Sequence, residues 1–407
     1  MDVALTIRRF NKGRDPERLA MKYARMRASP FVFLRGSCHL FHQRLPVERA
    51  LEGAPRVWVC GDLHLENFGS YKGDNRLAYF DMNDFDEAAL APCTWDVLRF
   101  LTSVRLGMRE LKVQASGIAS LCQVFLDSYA RELATGKARW VERETSEGLV
   151  RELLGAVQSR PRPAFLDTRT ERKGKRRMIR IDSRKALPAS DAQRQQVTAF
   201  MEAFAASQDN PDFFRILDVA RRIAGTGSLG VEHYVILVRG RGSPDGSFLL
   251  DLKQALPSSL TPRLKVRQPE WKSEAHRVVA VQRRVQAVSM AFLQPVRMAK
   301  KPYILRALQP SEDRVALQHW HGKLARLEGV MASMGAAVAW GHLRAGGREG
   351  SAIADELIAF GAKSRWKIQI EQIAEHCAEQ ARRDWLTYAQ AYDDGYFSGE
   401  QSNADVV

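Results

Sequence analysis

The spacing of apolar residues along this chain changes period more than once, and that order limits the available folds more than any other feature. Strand-like runs gather in two places: VWVCGDLHLENFGSY with LAYFDMNDFDEAAL, between 57 and 90, and RRIAGTGSLGVEHYVILVRGRGSPDGSFLLDLKQAL, from 221 to 256. Elsewhere apolar residues recur every three or four positions, as in Val97, Leu98, Leu101 and Val104, then Ile118, Leu121, Val124 and Phe125. That is the spacing of helices that bury one face. Further helical patterns cover 190 to 207, 271 to 293, 313 to 343, 352 to 362 and 366 to 392, with a short strand at PYILRAL (302 to 308). The order is helix, a short strand pair, helix, a β meander, then helix to the end. It predicts a helix-rich, two-lobed α+β protein, not a regularly alternating α/β sheet. With 407 residues, 45% of them hydrophobic, the chain is long enough for two to three lobes and too apolar for disorder.

No stretch approaches the roughly 20 uninterrupted apolar residues of a membrane-spanning helix. The start, MDVALTIRRFNKGRDPE, lacks the apolar run of a secretory signal. The expectation is a cytoplasmic protein with no membrane insertion. Its five cysteines are odd in number and never at CxxC spacing, which predicts buried, reduced thiols rather than a disulfide framework or a structural zinc site.

The formal charge of +15 is concentrated in RPRPAFLDTRTERKGKRRMIRIDSRK (160 to 185), where eleven basic residues meet three acidic ones. MIRIDSR alternates like a short strand and Lys-Gly-Lys before it reads as a turn, so a solvated β-hairpin arm is the favoured reading. A surface that attracts phosphate or nucleic acid is the less favoured one.

Two constellations carry chemistry. Asp62, His64 and Asn67 in GDLHLENFG, followed by Asp84 and Asp86 in NDFDE, set acids and an amide at the ends of two strands expected to be neighbours. Hard cations such as Mg²⁺ take oxygen ligands of this kind. In phosphoryl transfer one carboxylate serves the attacking hydroxyl, while an Asn and another Asp hold metal against nucleotide phosphates. The plainer alternative is a set of turn residues bonded to their own backbone. In the second constellation Gly225, Gly227, Ser228 and Gly230 form a glycine-rich turn between strand-like runs, with Lys253 on a following strand. Such a turn lets backbone N–H groups approach phosphate, and a strand lysine neutralises its charge. No helix follows the turn, so a dinucleotide-binding reading fails its context, whereas the glycine loop, hairpin and strand lysine match a protein kinase. The alternative here is an ordinary β-turn beside a surface lysine.

GDLHLENFG, NDFDEA and Trp95-Asp96 together resemble the catalytic end of the aminoglycoside phosphotransferase and choline kinase group of the protein-kinase-like superfamily, whose pattern runs HGDxHxxN, then an Asp-aromatic-acidic triplet. From about Arg35 to Tyr392 the chain more closely resembles a bacterial domain-of-unknown-function family. That family shares GDxHxxNFG, NDFDE, WDxxR, GxGSxG with a strand lysine, and a late helix ending near Gly341-His342-Leu343. The resemblance implies ATP and Mg²⁺ as cofactors, Asp62 as catalytic base, Asn67 and Asp84 as metal ligands with Asp86 beside them, His64 supporting the loop and Asp96 bracing it. It implies that Gly225, Gly227, Ser228 and Gly230 cover the phosphates and that Lys253 contacts them, with Glu274 as its ion-pair partner and Glu270 the fallback.

Two departures accompany the resemblance. The catalytic motifs precede the glycine loop by about 160 residues, the reverse of the kinase order, which implies a circular permutation. Cys60 stands where the phosphotransferase pattern has a histidine, so that histidine's hydrogen bonds must come from elsewhere. The implied division is 1–195 for the catalytic and metal motifs with the basic arm, 196–310 for a β-rich nucleotide-binding lobe, and 311–407 for helices completing the helical lobe. The expected activity is phosphoryl transfer from ATP to a hydroxyl of a small molecule or protein. Nucleotidyl transfer on the same fold, or non-catalytic nucleotide or nucleic-acid binding, are the alternatives.

Overall fold

The computed structural model describes residues 2–174, 176–242, 245–310 and 313–398. It is mixed α+β and rich in helix, as the order of periods predicts. Among the described residues twelve strands run in chain order: β1 (Arg56–Val59), β2 (Phe68–Lys72), β3 (Ala78–Met82), β4 (Ala89–Pro92), β5 (Thr170–Lys173), β6 (Arg176–Ile179), β7 (Ala186–Pro188), β8 (Ile216–Arg222), β9 (His233–Val238), β10 (Phe248–Gln254), β11 (Gln294–Met298) and β12 (Lys301–Ala307). Six of them form one antiparallel sheet in the order β11-β12-β10-β9-β8-β7. The glycine turn joins β8 to β9. On β10, Lys253 lies opposite His233 of β9 and Ile304 of β12. The helix Asp191–Ala206 buries Val197 and Met201 against Tyr234, Ile236, Leu252 and Tyr303 of this sheet.

The larger core belongs to helices drawn from both ends of the chain. Ala115–Thr135 packs along Leu324–Ala345, and Cys93–Glu110 along Arg365–Asp393. Gly335 permits the first contact, since a Cβ there would stand 2.5 Å from the Phe125 carbonyl oxygen. The helix Cys93–Glu110 follows directly on β4, and every residue from Cys93 to Met108 is buried. It runs through the middle of the protein and carries Asp96 and Arg99 beneath the site.

Three local expectations are corrected. The strands near 57 and 78 do not pair with each other: β1 pairs with β4 and β2 with β3, because Phe68–Lys72 forms its own hairpin with Ala78–Met82. The helix expected over 271 to 293 spans only Glu274–Val285. Gln286 leaves it extended, its side-chain amide donating to the Met82 carbonyl at 2.7 Å, and β11 follows. The helix expected from 313 starts at Leu324, after His321 (φ 50°) and Gly322 (φ 72°) take left-handed conformations that break it.

The basic block does form a hairpin, β5–β6, turning at Gly174 (φ 61°). Its Arg177 is buried and donates to Asp167 at 2.6 Å and to Asp245 at 3.0 Å, so part of the charge is neutralised within the fold. All five cysteines are buried and unbridged. Among the described residues no helix is long and apolar enough to cross a membrane.

Candidate active site

A cleft of about 150 Å³ lies between the six-stranded sheet and the β1–β4 segment, and both constellations line it. Asp62, His64, Asn67, Asp84 and Asp86 face Gly225, Gly227, Ser228 and Lys253 across it.

Asp62 owes its position to a turn braced from three directions. Gly61 has φ 81°, and a Cβ there would collide with the Glu87 carbonyl, so only glycine fits. Asp96 accepts the N–H groups of Cys60 at 2.8 Å and Gly61 at 2.9 Å, the bracing role the resemblance implies. His42 Nε2 lies 2.8 Å from the Gly61 carbonyl and donates to it, so a histidine from another segment serves the turn whose sequence lacks one. Beneath the side chain, the fully buried Arg99 donates from Nε to Asp62 Oδ1 at 2.7 Å and from its terminal nitrogen to the Leu34 carbonyl at 2.8 Å. Burial, opposed by Arg99 and reinforced by Glu87, pushes the Asp62 carboxyl up to about 6.

Asn67 ties this turn to the NDFDE segment. Its amide donates to the Asp62 carbonyl at 3.0 Å, and its oxygen accepts from the Asp84 N–H at 2.8 Å. Burial alone would raise the Asp84 carboxyl, but Lys253, Arg306 and Arg314 outweigh it and hold the group below the usual range. Asp86 is pushed the other way, by burial and then by the Asp84 charge, although it forms an ion pair with Lys253. His64 is buried, edge-on to Phe31 with ring centroids 6.4 Å apart. Burial and Arg35 hold it well below its ordinary pKa, so the imidazole is neutral.

Glu274 does not pair with Lys253. Its carboxylate accepts from Arg277 at 2.6 Å, and Arg277 donates onward to the carbonyls of Ala88, Asp86 and Leu256. Asp86 takes the lysine because the NDFDE segment reaches the cleft directly, whereas Glu274 opens its helix outside it. Gly230 (φ 88°) likewise lies off the cleft wall, packed against Arg14.

The glycine turn sits close to the acids. A Cβ on Gly227 would stand 3.1 Å from the Arg35 carbonyl oxygen and 3.9 Å from Asp62 Oδ2. Gly225 takes φ 68°. The carbonyls of the turn are gripped by the amino-terminal segment: Arg14 donates to Gly227 at 2.7 Å, Lys22 to Gly227 at 2.9 Å and Arg25 to Gly225 at 3.0 Å. Sequence reasoning missed these three basic side chains and His42. No motif marks them, and their partners are backbone atoms more than 190 positions away, or in His42's case 19.

The donors suit a hard cation. Mg²⁺ is held by one or two carboxylates together with water and substrate phosphates, and Asp84 is an ionised carboxylate with Asp86 beside it. The Asn67 oxygen accepts from the N–H groups of Asp84 at 2.8 Å and Asn83 at 3.4 Å, so a cation bound there would compete with the longer of these bonds. Among the described residues no three His, Cys, Asp or Glu side chains group as a metal site on their own.

No curated protein and no solved structure matches the chain. A family model does, over residues 14–391: DUF2252, described as an uncharacterized protein conserved in bacteria. This protein belongs to the DUF2252 family.

Proposed function

We propose that this protein is an ATP- and Mg²⁺-dependent phosphotransferase of circularly permuted, kinase-like architecture, acting on a hydroxyl of a small molecule or a protein. One observation carries the reading: Lys253 pairs with Asp86 and Gly227 approaches Asp62, so motifs about 160 residues apart line one cleft. The permutation is supported by the late helix Leu324–Ala345. Its His342 Nε2 lies 3.6 Å from the Asp96 carboxylate that braces the catalytic turn, and its Gly341 is seated against Met82 and Val285.

Each residue then has a task its environment suits. Asp62, with a carboxyl near 6, is ionised at neutral pH and still basic enough to accept a hydroxyl proton. Arg99 fixes its orientation. Asp84 stays anionic at any ordinary pH and would hold the cation, with Asn67 keeping it in register with Asp62. Lys253 and Arg306 offer positive charge to phosphate oxygens, and the glycine turn lets backbone come close without a side chain in the way. Bound with its magnesium, ATP would supply the transferable γ-phosphoryl group.

The test is the thermal midpoint with and without Mg²⁺-ATP, on wild type, Asp84→Asn and Lys253→Ala, followed by product mass. A ligand at about 100 times its Kd adds roughly 2.7 kcal/mol to the native state. The reading expects a rise that both substitutions abolish, and a product heavier by phosphate. A product heavier by AMP would mean nucleotidyl transfer; no rise in any variant would remove the nucleotide altogether.

A further inference from the structure

A second and larger cavity, about 640 Å³, lies beside the cleft and shares Gln309, Pro310 and Asp313 with it as a wall. It is bounded by the β2–β3 hairpin, the helix Arg162–Asp167, the start of β10 and the Met290–Phe292 segment. Its volume is that of a site for a drug-sized molecule. We propose that this cavity binds a mostly apolar small molecule carrying one acidic group at its outer end.

Two features of the lining point to that chemistry. The walls are aromatic: Phe213, Phe248 and Phe292 lie mutually in contact, with ring centroids 5.4 to 5.7 Å apart, and Phe165 joins them. Such rings favour an apolar body.

At the mouth, Arg76, Arg162 and Arg241 converge from three separate segments. Partial burial, then the charges of Arg241 and Arg76, hold the Arg162 guanidinium below its ordinary range, so Arg162 feels the repulsion of both neighbours. Of the carboxylates lining the cavity, Asp313 is taken by a bidentate pair with Arg160 at 2.7 and 2.8 Å, which leaves Asp74 as the other acid among Lys72, Arg76, Arg162 and Arg241. An acidic group set among the arginines relieves that repulsion. Arg76 (φ 69°) and Phe292 (φ 61°), one at the mouth and one on the wall, also hold left-handed backbone conformations that a bulky side chain rarely adopts, as residues at binding sites often do.

The inference does not depend on the chemistry of the cleft, and its probe is 8-anilinonaphthalene-1-sulfonate, an aromatic body with one acid. The neutral N-phenyl-1-naphthylamine serves as its uncharged counterpart. Fluorescence titration of the full chain should show one saturable site for the sulfonate. Combined Arg76→Glu, Arg162→Glu and Arg241→Glu should weaken it at least about tenfold while changing the neutral dye less than about threefold. The three arginines are exposed, and Arg162→Gln alone, expected to weaken the sulfonate about threefold, keeps the test available if the triple variant does not fold. Arg314→Ala, inside the cleft, should leave the sulfonate titration unchanged. Absence of a saturable site, equal weakening of both dyes, or loss of sulfonate binding on Arg314→Ala would each overturn the proposal.

Discussion

Arg99 has no exposed side-chain surface, and it meets Asp62 from below, Nε to Oδ1 at 2.7 Å. The pair sets the pH at which the proposed base works. Burial lifts the carboxyl to about 6 and Arg99 keeps it from rising further. Phosphoryl transfer should therefore fall as pH drops through about 6, because the protonated acid cannot accept the hydroxyl proton. Arg99→Met removes the cation and should move that acid limb upward by a unit or more, on top of a lower rate. A pH–rate profile of both proteins checks this, and an unmoved midpoint would show that another group titrates.

The turn before Asp62 hangs on Asp96 and His42, which hold the N–H and the carbonyl of the same residue, Gly61. Asp96→Ala leaves two buried N–H groups without an acceptor and should cost about 3 kcal/mol or more, against about 1–2 kcal/mol for His42→Ala. Because both act on one peptide segment, their effects should not add. Urea unfolding of the two single variants and the double variant gives the coupling directly; strict additivity would mean that they brace the turn independently.

How much of this was legible in the sequence depends on distance along the chain. The periods of Val97 to Phe125 and of the strands around Lys253 gave the helices and the sheet, because burial against a single face leaves a local pattern. Asp62, Asn67 and Asp84 were readable because their spacing is local and their chemistry uncommon. The partner of Lys253 was not: Asp86 lies 167 residues earlier, and only the folded cleft selects it over Glu274. The pairing of β1 with β4 was hidden as well, since about 30 residues separate the two strands and the β2–β3 hairpin lies between them. Arg14, Lys22 and Arg25 grip backbone carbonyls, and a carbonyl has no signature in sequence.

The Lys253–Asp86 pair predicts a particular order of stabilities. Lys253→Met leaves Asp86 without its cation. Because the Asp86 side chain is 32% exposed, water screens the loss to about 1–3 kcal/mol. Lys253→Met with Asp86→Asn should recover most of it, since no unpaired charge then remains. Glu274→Gln should cost under about 1 kcal/mol and leave any ATP-induced rise in midpoint intact, because its partner is Arg277. Denaturation of the four proteins checks the order; loss of the ATP effect in Glu274→Gln would restore the helix glutamate as the lysine's functional partner.

Lys22 makes the grip on the glycine turn dependent on pH. It is fully buried, bonded to Asn11 Oδ1 and the Gly227 carbonyl, both at 2.9 Å, with its nitrogen 5.9 Å above the Phe10 ring and, among the described residues, no carboxylate in hydrogen-bond contact. Burial, then Arg14, holds its pKa well below the ordinary lysine value. In the unfolded chain the amine keeps its proton up to about 10.4. Between the lowered folded value and that limit the unfolded state binds more protons, so this group makes stability rise with pH. Lys22→Met removes the contribution. Unfolding free energies from urea titrations at pH 7 and pH 9 should rise with pH in wild type and rise less in the variant. Identical pH dependence in the two proteins would show that Lys22 stays protonated in the fold and holds Gly227 as an ammonium throughout.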